Sequence, residues 1–289
     1  MRLFFYLLSL FFLFSACVKN NPDPSWLQVN EWTISANPSL SLEEGELTEN
    51  ISEAWVYIND EVIGVFQVPF KIPILKEGNV TFKIFPAIKN NGISATKKIY
   101  PFLKEYVING TLVKNQVFTI NPTTQYKENL NFWVEDFEDA SFQITDDPNT
   151  SAANINTDNT NLQWFNGNAY GKVVLNAEDS TWIAFTSEPY MILPKGQECY
   201  LEIDYKVTNN LTTGLLYVTS ESTTNNVNIR LNAQKPDVAV WKKIYIDLRE
   251  LIGNSPSGSV FSQSFIASLD EGNTEGIILI DNIKVIHFQ

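Results

Sequence analysis

Histidine is almost missing from this chain of 289 residues, which contains a single one, His287. The chain therefore has only one histidine for a catalytic pair with serine or cysteine, or for a zinc site built on histidine. Cysteine is equally scarce, and Cys17 and Cys199 could form one disulfide at most. Cys199 stands in a strand-like run and is interpreted as a small buried apolar residue. No glycine-rich loop of the kind that cradles phosphate is present.

Positive charge is also in short supply. The chain has 20 Lys and Arg against 33 Asp and Glu, a formal net charge of −13. An acidic surface argues against a nucleic-acid partner and against adsorption to anionic lipid. Long amphipathic helical stripes are missing too, whereas aromatic residues, Thr, Asn, Ile and Val are frequent. This composition predicts an all-β protein.

One apolar run stands out at the start of the sequence. After Met1-Arg2, residues 3–14 are almost wholly apolar, and two small residues, Ser15-Ala16, follow. The run is too short to span a membrane comfortably, and a positive start with a small-residue site is typical of a secretory signal peptide. We therefore predict a signal peptide over residues 1–16 and an exported protein.

The residues around the predicted cleavage site, Phe14-Ser15-Ala16-Cys17, resemble a bacterial lipobox, although that family prefers leucine where this chain has Phe14. The resemblance implies a Bacteroidetes-type outer-membrane or cell-surface lipoprotein, carrying diacylglycerol and palmitate on Cys17. Residues 17–25 are polar and proline-bearing, and are predicted to form the tether. The alternative is a free Cys17 after an ordinary cleavage site, where an exposed thiol would be a liability.

Residues 26–121 are predicted to form the first domain. Short apolar runs are separated there by turn signals such as Asn59-Asp60 and Asn109-Gly110, a pattern that favours an antiparallel β-sandwich. Residues 54–64 and 75–84 resemble a PEGA-type or related immunoglobulin-like module, without its Pro-Glu-Gly-Ala tetrapeptide. The resemblance implies a spacer or docking platform. The polar segment 122–130 is predicted to be a linker.

Residues 131–289 are predicted to form the second domain. The order Phe137-Glu138, residues 200–206, residues 241–248 and Ile280-Asp281 resembles a carbohydrate-binding-module jelly roll of the galactose-binding-like type. The resemblance completes the predicted fold class, an immunoglobulin-like β-sandwich followed by a jelly-roll β-sandwich. We further expect the first strand of this domain to pair with the last, so that the region between them closes into one sandwich.

Two carboxylates are candidates for a metal site, Glu138 and Asp281. In the jelly-roll modules that this domain resembles, a Glu after an aromatic residue on the first strand and an Asp on the last often hold a structural calcium ion. Hard oxygen ligands suit that ion. The alternative is that both acids face solvent on edge strands, where charge discourages pairing between sheets. Both interpretations remain open.

Three aromatic residues are candidates for ligand contact: Trp164 and Tyr170, in an asparagine-rich segment, and Trp182. Sugar-binding modules stack pyranose faces on such rings and surround the sugar with polar side chains. The alternative is that these large side chains fill the core of the sandwich.

Together these patterns predict a non-catalytic, lipid-anchored envelope lipoprotein whose second domain binds a glycan or another surface ligand. The alternative is a structural or assembly component of an envelope complex that docks protein. A carboxylate-based glycoside hydrolase is a third candidate, although no spacing selects an acid pair. An open groove with solvent-facing aromatic residues would favour the first, a flat apolar patch the second, and a cleft with two opposed acids the third.

Overall fold

A computed structural model describes residues 22–41, 43–160, 167–187 and 190–289. The predicted signal peptide, Cys17 and Trp164 lie outside the described residues. Within them the chain is almost entirely β-structure, which confirms the all-β fold class, and it forms two successive β-sandwiches. None of the helices in the described part has both the length and the apolar character that crossing a bilayer requires.

The first sandwich contains ten strands: β1 (Ser25–Val29), β2 (Thr33–Ile34), β3 (Glu53–Ile58), β4 (Glu61–Gln67), β5 (Phe70–Ile74), β6 (Gly78–Lys89), β7 (Lys97–Ile99), β8 (Tyr106–Leu112), β9 (Val117–Ile120) and β10 (Thr123–Thr124). Short 3-10 turns occupy Pro38–Leu40 and Asn90–Gly92. One sheet has the order β4-β3-β6-β7 with β8 paired to β6, and a second has the order β5-β1-β9. Every second residue of β6, such as Phe82 and Ile84, is buried in the shared core.

The segment predicted to be a linker, residues 122–130, differs from that expectation. Strand β10 pairs in parallel with β2. Tyr126 is 2% exposed and belongs to the first core, where its ring packs against Phe132 at 5.3 Å. Thr124 is also buried and donates to the carbonyl of Lys104 at 2.6 Å, so the first sandwich passes directly into the second.

The second sandwich contains eleven strands: β11 (Leu130–Glu135), β12 (Ile144–Asp146), β13 (Asn156–Asp158), β14 (Tyr170–Asn176), β15 (Thr181–Thr186), β16 (Cys199–Val207), β17 (Leu211–Val218), β18 (Thr223–Leu231), β19 (Lys242–Asp247), β20 (Val260–Ser268) and β21 (Glu275–Phe288). A short helix, α1 (Arg249–Asn254), follows β19, and a 3-10 turn occupies Pro236–Val238. One sheet has the order β13-β14-β21-β16-β19 with β11 on β21, and the facing sheet has the order β12-β15-β20-β17-β18.

Strand β21 organises the six-stranded sheet. It pairs antiparallel with β11, with Trp133 opposite Val285, so the predicted pairing of first and last strands is confirmed. On the same side it also pairs with β14, and on its other side with β16. A residue with positive φ, Asn282 (51°), interrupts the strand and shifts its register against β16.

The first domain covers the outer face of this six-stranded sheet. Tyr200, Tyr245 and Ile286 project from β16, β19 and β21 and belong to the apolar cluster of the first domain. The ring of Tyr100 meets those of Tyr200 and Tyr245, with centroids 5.3 Å and 4.8 Å away. The outer face of the five-stranded sheet is exposed instead, with Val227 at 57%. We call this second surface the open face.

Candidate functional site

The open face carries apolar side chains on its solvent side. In β15, Trp182 and Ala184 are fully buried, so Ile183 and Phe185 project outward and are partly exposed. Phe185 lies opposite Ser264 of β20. Solvent-facing apolar residues of this kind, when they form a continuous surface, commonly mark a binding site.

A groove of about 540 Å³ lies on the open face. Two aromatic residues, Phe185 and Tyr190, line it, and Tyr190 is 37% exposed. The other lining residues carry mainly hydroxyl, amide and carboxylate groups: Thr145, Asp146, Asp147, Pro148, Asn149, Thr186, Ser187, Leu216 and Thr223. No lysine or arginine appears among the described residues of this lining.

Small buried residues join the strands beneath the open face. Ser264 lies opposite Gly214, and a Cβ built on Gly214 would stand 2.7 Å from the Ser264 hydroxyl. The Ser264 hydroxyl donates a hydrogen bond of 2.7 Å to the amide oxygen of Asn225 on β18. On the same strand as Ser264, the Ser262 hydroxyl donates to the carbonyl of Thr186 at 2.7 Å. These close, hydrogen-bonded contacts hold β15, β17, β18 and β20 together beneath the exposed side chains of the open face.

Two aspartates hold the rim of the groove in place. The Trp182 indole donates to Asp146 at 2.8 Å, and burial raises the pKa of Asp146 above its ordinary value. Asp147 accepts from the backbone N–H of Asn149 at 2.9 Å and from the Thr150 hydroxyl at 2.7 Å. These bonds lower the pKa of Asp147 and keep it ionised at neutral pH. The rim is thus ordered by its own hydrogen bonds.

Two of the aromatic residues that the sequence offered for ligand contact, Trp182 and Tyr170, are buried in the structure. Trp182 is 0% exposed and stacks on Phe265 with ring centroids 5.9 Å apart, inside the core beneath the open face. Tyr170 is 2% exposed and packs edge-to-face against Trp241 at 5.6 Å. The ligand-contact interpretation is therefore wrong for both residues, which pack in the interior as the alternative predicted.

Sequence reasoning missed Phe185 and Tyr190, the rings that do line the groove. Strand alternation carried the signal for Phe185, because it stands three residues after Trp182 and so occupies the opposite face. The pattern was ambiguous because both faces of β15 are apolar. Tyr190 lies outside any regular strand, and no local pattern marked it.

The two candidate metal ligands contact different groups. Glu138 accepts hydrogen bonds from the Asn168 side-chain amide and the Ala169 backbone, both at 2.9 Å. Burial acts to raise the pKa of Glu138, but these bonds outweigh it and hold the pKa below its ordinary value. Asp281 lies opposite Asp204 in the sheet and is 1% exposed. Asp281 is therefore not a solvent-facing edge charge.

Asp281 is buried among other acids. Burial, and after it the carboxylates of Asp204, Glu46 and Asp136, raise the pKa of Asp281 to about 9, although the Asn282 N–H that donates to it opposes this. The side-chain oxygen of Asn282 is buried without a donor among the described residues. Such oxygen donors are of the type that calcium prefers. No group of three or more acidic, histidine or cysteine side chains in the described ranges is arranged to hold a metal ion, so calcium stays a prediction.

A buried ionic network joins the two domains. Glu202, on β16, is 0% exposed and accepts hydrogen bonds from the hydroxyls of Tyr100 at 2.7 Å and Tyr126 at 2.9 Å. Lys243 lies 3.0 Å from Glu202 and 3.6 Å from Asp204. Burial acts to raise the pKa of Glu202, but the nearby lysines outweigh it and lower that pKa. These charges compensate each other, and the tyrosine hydroxyls of the first domain bind the same carboxylate, so the network fixes the domains together.

Lys284 adds a further buried cation to this junction. It is 0% exposed, lies 5.6 Å from the centre of the Tyr126 ring and donates to the backbone carbonyl of Glu46. Burial, and after it the charge of Lys243, lower the pKa of Lys284 to about 8. Its contacts, like those of Glu202, cross from the second domain to the first.

No protein-family model matches this chain, and no curated protein sequence does. Among solved structures, it is similar to the family 11 carbohydrate-binding module of the cellulosomal cellulase Lic26A-Cel5E of Clostridium thermocellum. Identity is 14% over 54% of this chain and 94% of that one, with a TM-score of 0.39. The family 30 carbohydrate-binding module of cellulosomal cellulase Cel9D-Cel44B of the same organism is 15% identical over 53% of this chain and 95% of that one, with a TM-score of 0.40.

A third structure, from work on promiscuous carbohydrate-binding modules of the β-sandwich superfamily, is 14% identical over 80% of this chain and 83% of that one, with a TM-score of 0.37. These neighbours are β-sandwich carbohydrate-binding modules. At such identities and TM-scores the likeness says nothing about a ligand of this chain.

Proposed function

We propose that this protein is a non-catalytic glycan-binding protein whose second domain holds a neutral oligosaccharide on the open face. The observation that carries the proposal is the groove in which Phe185 and Tyr190 stand beside hydroxyl and amide groups. A pyranose ring has apolar faces that stack on aromatic rings and hydroxyls that exchange hydrogen bonds with polar neighbours. The groove offers both kinds of contact side by side.

The charge of the groove favours an uncharged ligand. Its charged lining residues are the acids Asp146 and Asp147, without a described lysine or arginine to oppose them. An anionic glycan would be repelled by this rim, whereas a neutral one can donate hydroxyl hydrogens to Asp147. The class we propose is therefore neutral hexose or N-acetylhexosamine chains.

The acids of the groove are poorly placed for hydrolysis. A glycosidase needs two carboxylates that flank the scissile bond from opposite sides. Asp146 and Asp147 are adjacent in sequence, and Asp146 already accepts from the Trp182 indole. This arrangement, among the described residues, supports binding without turnover.

The test is a glycan array on the mature chain, followed by affinity measurements on Phe185→Ala and Tyr190→Ala. Each substitution should weaken binding about 5- to 30-fold, equivalent to about 1–2 kcal/mol for a partly buried aromatic contact. Val238→Ala, at a 67% exposed residue that does not line the groove, is the control. Affinity unchanged in both aromatic variants would remove the open face as the binding site.

We also propose that the protein is exported and held in the cell envelope by lipid on Cys17, which the apolar leader and the lipobox-like residues support. A second candidate function is protein docking within an envelope assembly. It is favoured by strongly exposed apolar residues of the second domain, Ile192 at 80% and Val227 at 57%. Loss of a defined protein complex in Val227→Asp, with glycan binding intact, would support docking.

A further inference from the structure

The first domain presents an aromatic surface of its own. In β3, Ala54 and Val56 are fully buried, so Trp55 and Tyr57 project to the outer side of the sheet. Phe85 of β6 lies directly opposite Trp55, and its ring meets that of Tyr57 at 5.4 Å and 70°. All three rings are partly exposed. We call the outer surface of β4, β3, β6 and β8 the first-domain face.

Apolar residues extend this surface on both sides. Val65 and Val62 of β4 lie opposite Trp55 and Tyr57, and Val107 of β8 lies opposite Lys83 of β6. Val62 is 55% exposed and Val107 is 52% exposed. The aromatic residues therefore stand in a flat apolar area on the sheet, outside any deep groove.

A polar ladder continues the first-domain face along β6 and β8. The Thr81 hydroxyl donates to the Asn109 amide oxygen at 2.7 Å, and the Thr111 hydroxyl donates to the Asn79 amide oxygen at 2.8 Å. The hydroxyls use the amide oxygens, and the amino groups of Asn79 and Asn109 have no acceptor among the described residues. Both asparagines line a shallow groove of about 360 Å³.

Two lysines at or beside this face are paired within the protein. Lys83 lies 2.7 Å from Asp60, and Lys97 lies 2.9 Å from Glu53. The indole N–H of Trp55 is shielded from water and has no acceptor in the part of the chain that the structure describes. The face thus offers aromatic rings and neutral donors, and the lysine in its middle, Lys83, is already paired.

We propose that the first-domain face is a second glycan-binding surface, which takes the flat side of a neutral polysaccharide chain. Apolar sugar faces fit the rings, and sugar oxygens accept from the amino groups of Asn79 and Asn109. A docked apolar protein surface would instead bury those donors without partners, which is unfavourable. The inference does not rest on the open face, because it uses residues of the other sandwich.

The experiment uses the mature chain carrying Phe185→Ala and Tyr190→Ala, so that any remaining binding belongs to another surface. Depletion isotherms are measured on insoluble neutral polysaccharides: cellulose, chitin and starch granules. Into this background we introduce either Tyr57→Ala or the pair Asn79→Asp and Asn109→Asp. The aspartates keep the oxygens that accept from threonine but lack the amino donors. The pair Asn254→Asp and Asn273→Asp adds the same charge at exposed positions elsewhere.

We expect residual binding in the background protein to at least one polysaccharide, and a loss of tenfold or more in both first-domain variants but not in the matched control. Circular dichroism confirms that each variant is folded. No residual binding in the background, or binding that both variants retain, overturns the proposal. Retained polysaccharide binding with loss of a defined envelope partner would show that the face docks protein, and overturns it as well.

Discussion

The ammonium group of Lys243 lies 3.0 Å from the carboxylate of Glu202, and both side chains are shielded from solvent where the two sandwiches meet. Glu202 also accepts hydrogen bonds from Tyr100 and Tyr126 of the first domain. An ion pair in this position stabilises the junction only while it is complete, because either charge alone would be buried without compensation.

Glu202→Gln should therefore lower the free energy of unfolding by about 3–5 kcal/mol, since it leaves Lys243 with the more distant Asp204 as its remaining anion. Urea unfolding measures the change. Glu128→Gln serves as the control, because Glu128 pairs with Lys104 at 3.1 Å on the surface, where such a pair contributes less than about 1 kcal/mol. Equal stability of the two variants would contradict the role of the buried pair.

Asp281 should make stability depend on pH. Its pKa is about 9 in the folded protein against 3.8 when solvated, so the folded state binds the extra proton between these values. The stabilising contribution is complete below about pH 4 and is lost as the pH rises toward 9. Relative to Asp281→Asn, the parent should lose up to about 1.4 kcal/mol per pH unit between about pH 5 and pH 8. Urea unfolding of both proteins measures this difference, and equal changes of the unfolding free energy with pH would contradict the prediction.

Calcium is predicted to stabilise the second domain if an ion replaces the proton on Asp281. Its melting temperature should rise with added calcium and fall with a chelator, by mass action on the folded state. Asp281→Asn should blunt both responses, and magnesium, which demands a stricter geometry, should have the smaller effect. A melting temperature indifferent to calcium would leave Glu138 and Asp281 without a metal role.

Substitutions of Trp182 and Phe185 should affect different properties, stability and glycan affinity, because the two residues lie on opposite faces of β15. Trp182→Ala should cost about 3–5 kcal/mol of stability, since the ring is fully buried against Phe265. Phe185→Ala should change stability far less and reduce glycan affinity. Both quantities are measured on both variants, and a stable Trp182→Ala protein would refute the core position.

Lipidation should depend on Cys17. Cys17→Ser should abolish incorporation of a labelled fatty acid, because only a thiol accepts the diacylglycerol. Cys199→Ser is the matched control and should retain the label, since Cys199 is buried in a strand of the second domain. Undiminished labelling of Cys17→Ser would refute the lipoprotein proposal.

The sequence was sufficient for features that local patterns determine. Turn signals between β-branched runs predicted the all-β class, and the pairing of β11 with β21 followed from matching runs at the two ends of the domain. Features that depend on distant packing were not predictable. Glu202 alternates with apolar residues and Lys243 follows another lysine, patterns that are typical of solvent-facing charges. The first domain, which contacts Glu202 from about a hundred residues earlier in the chain, buries them instead.

The candidate site on the open face also combines features that local patterns determine with features that depend on distant packing. A tryptophan in a strand with two apolar faces is equally compatible with the core and the surface, so the identity of Trp182 could not decide its position. The groove brings together residues from distant parts of the chain, Asp146, Phe185 and Leu216, and only the pairing of their strands in the sheet places them side by side.

Strand β21 holds the middle of its sheet, yet it is the last of these strands to be synthesised. Until residues 275–288 are available, β11, β14 and β16 have no shared partner, and the lysine that reaches Glu46 is missing from the junction. A partly made second domain would expose the apolar faces of those strands and invite aggregation. Folding must therefore wait for nearly the whole domain and proceed through slow, long-range pairings.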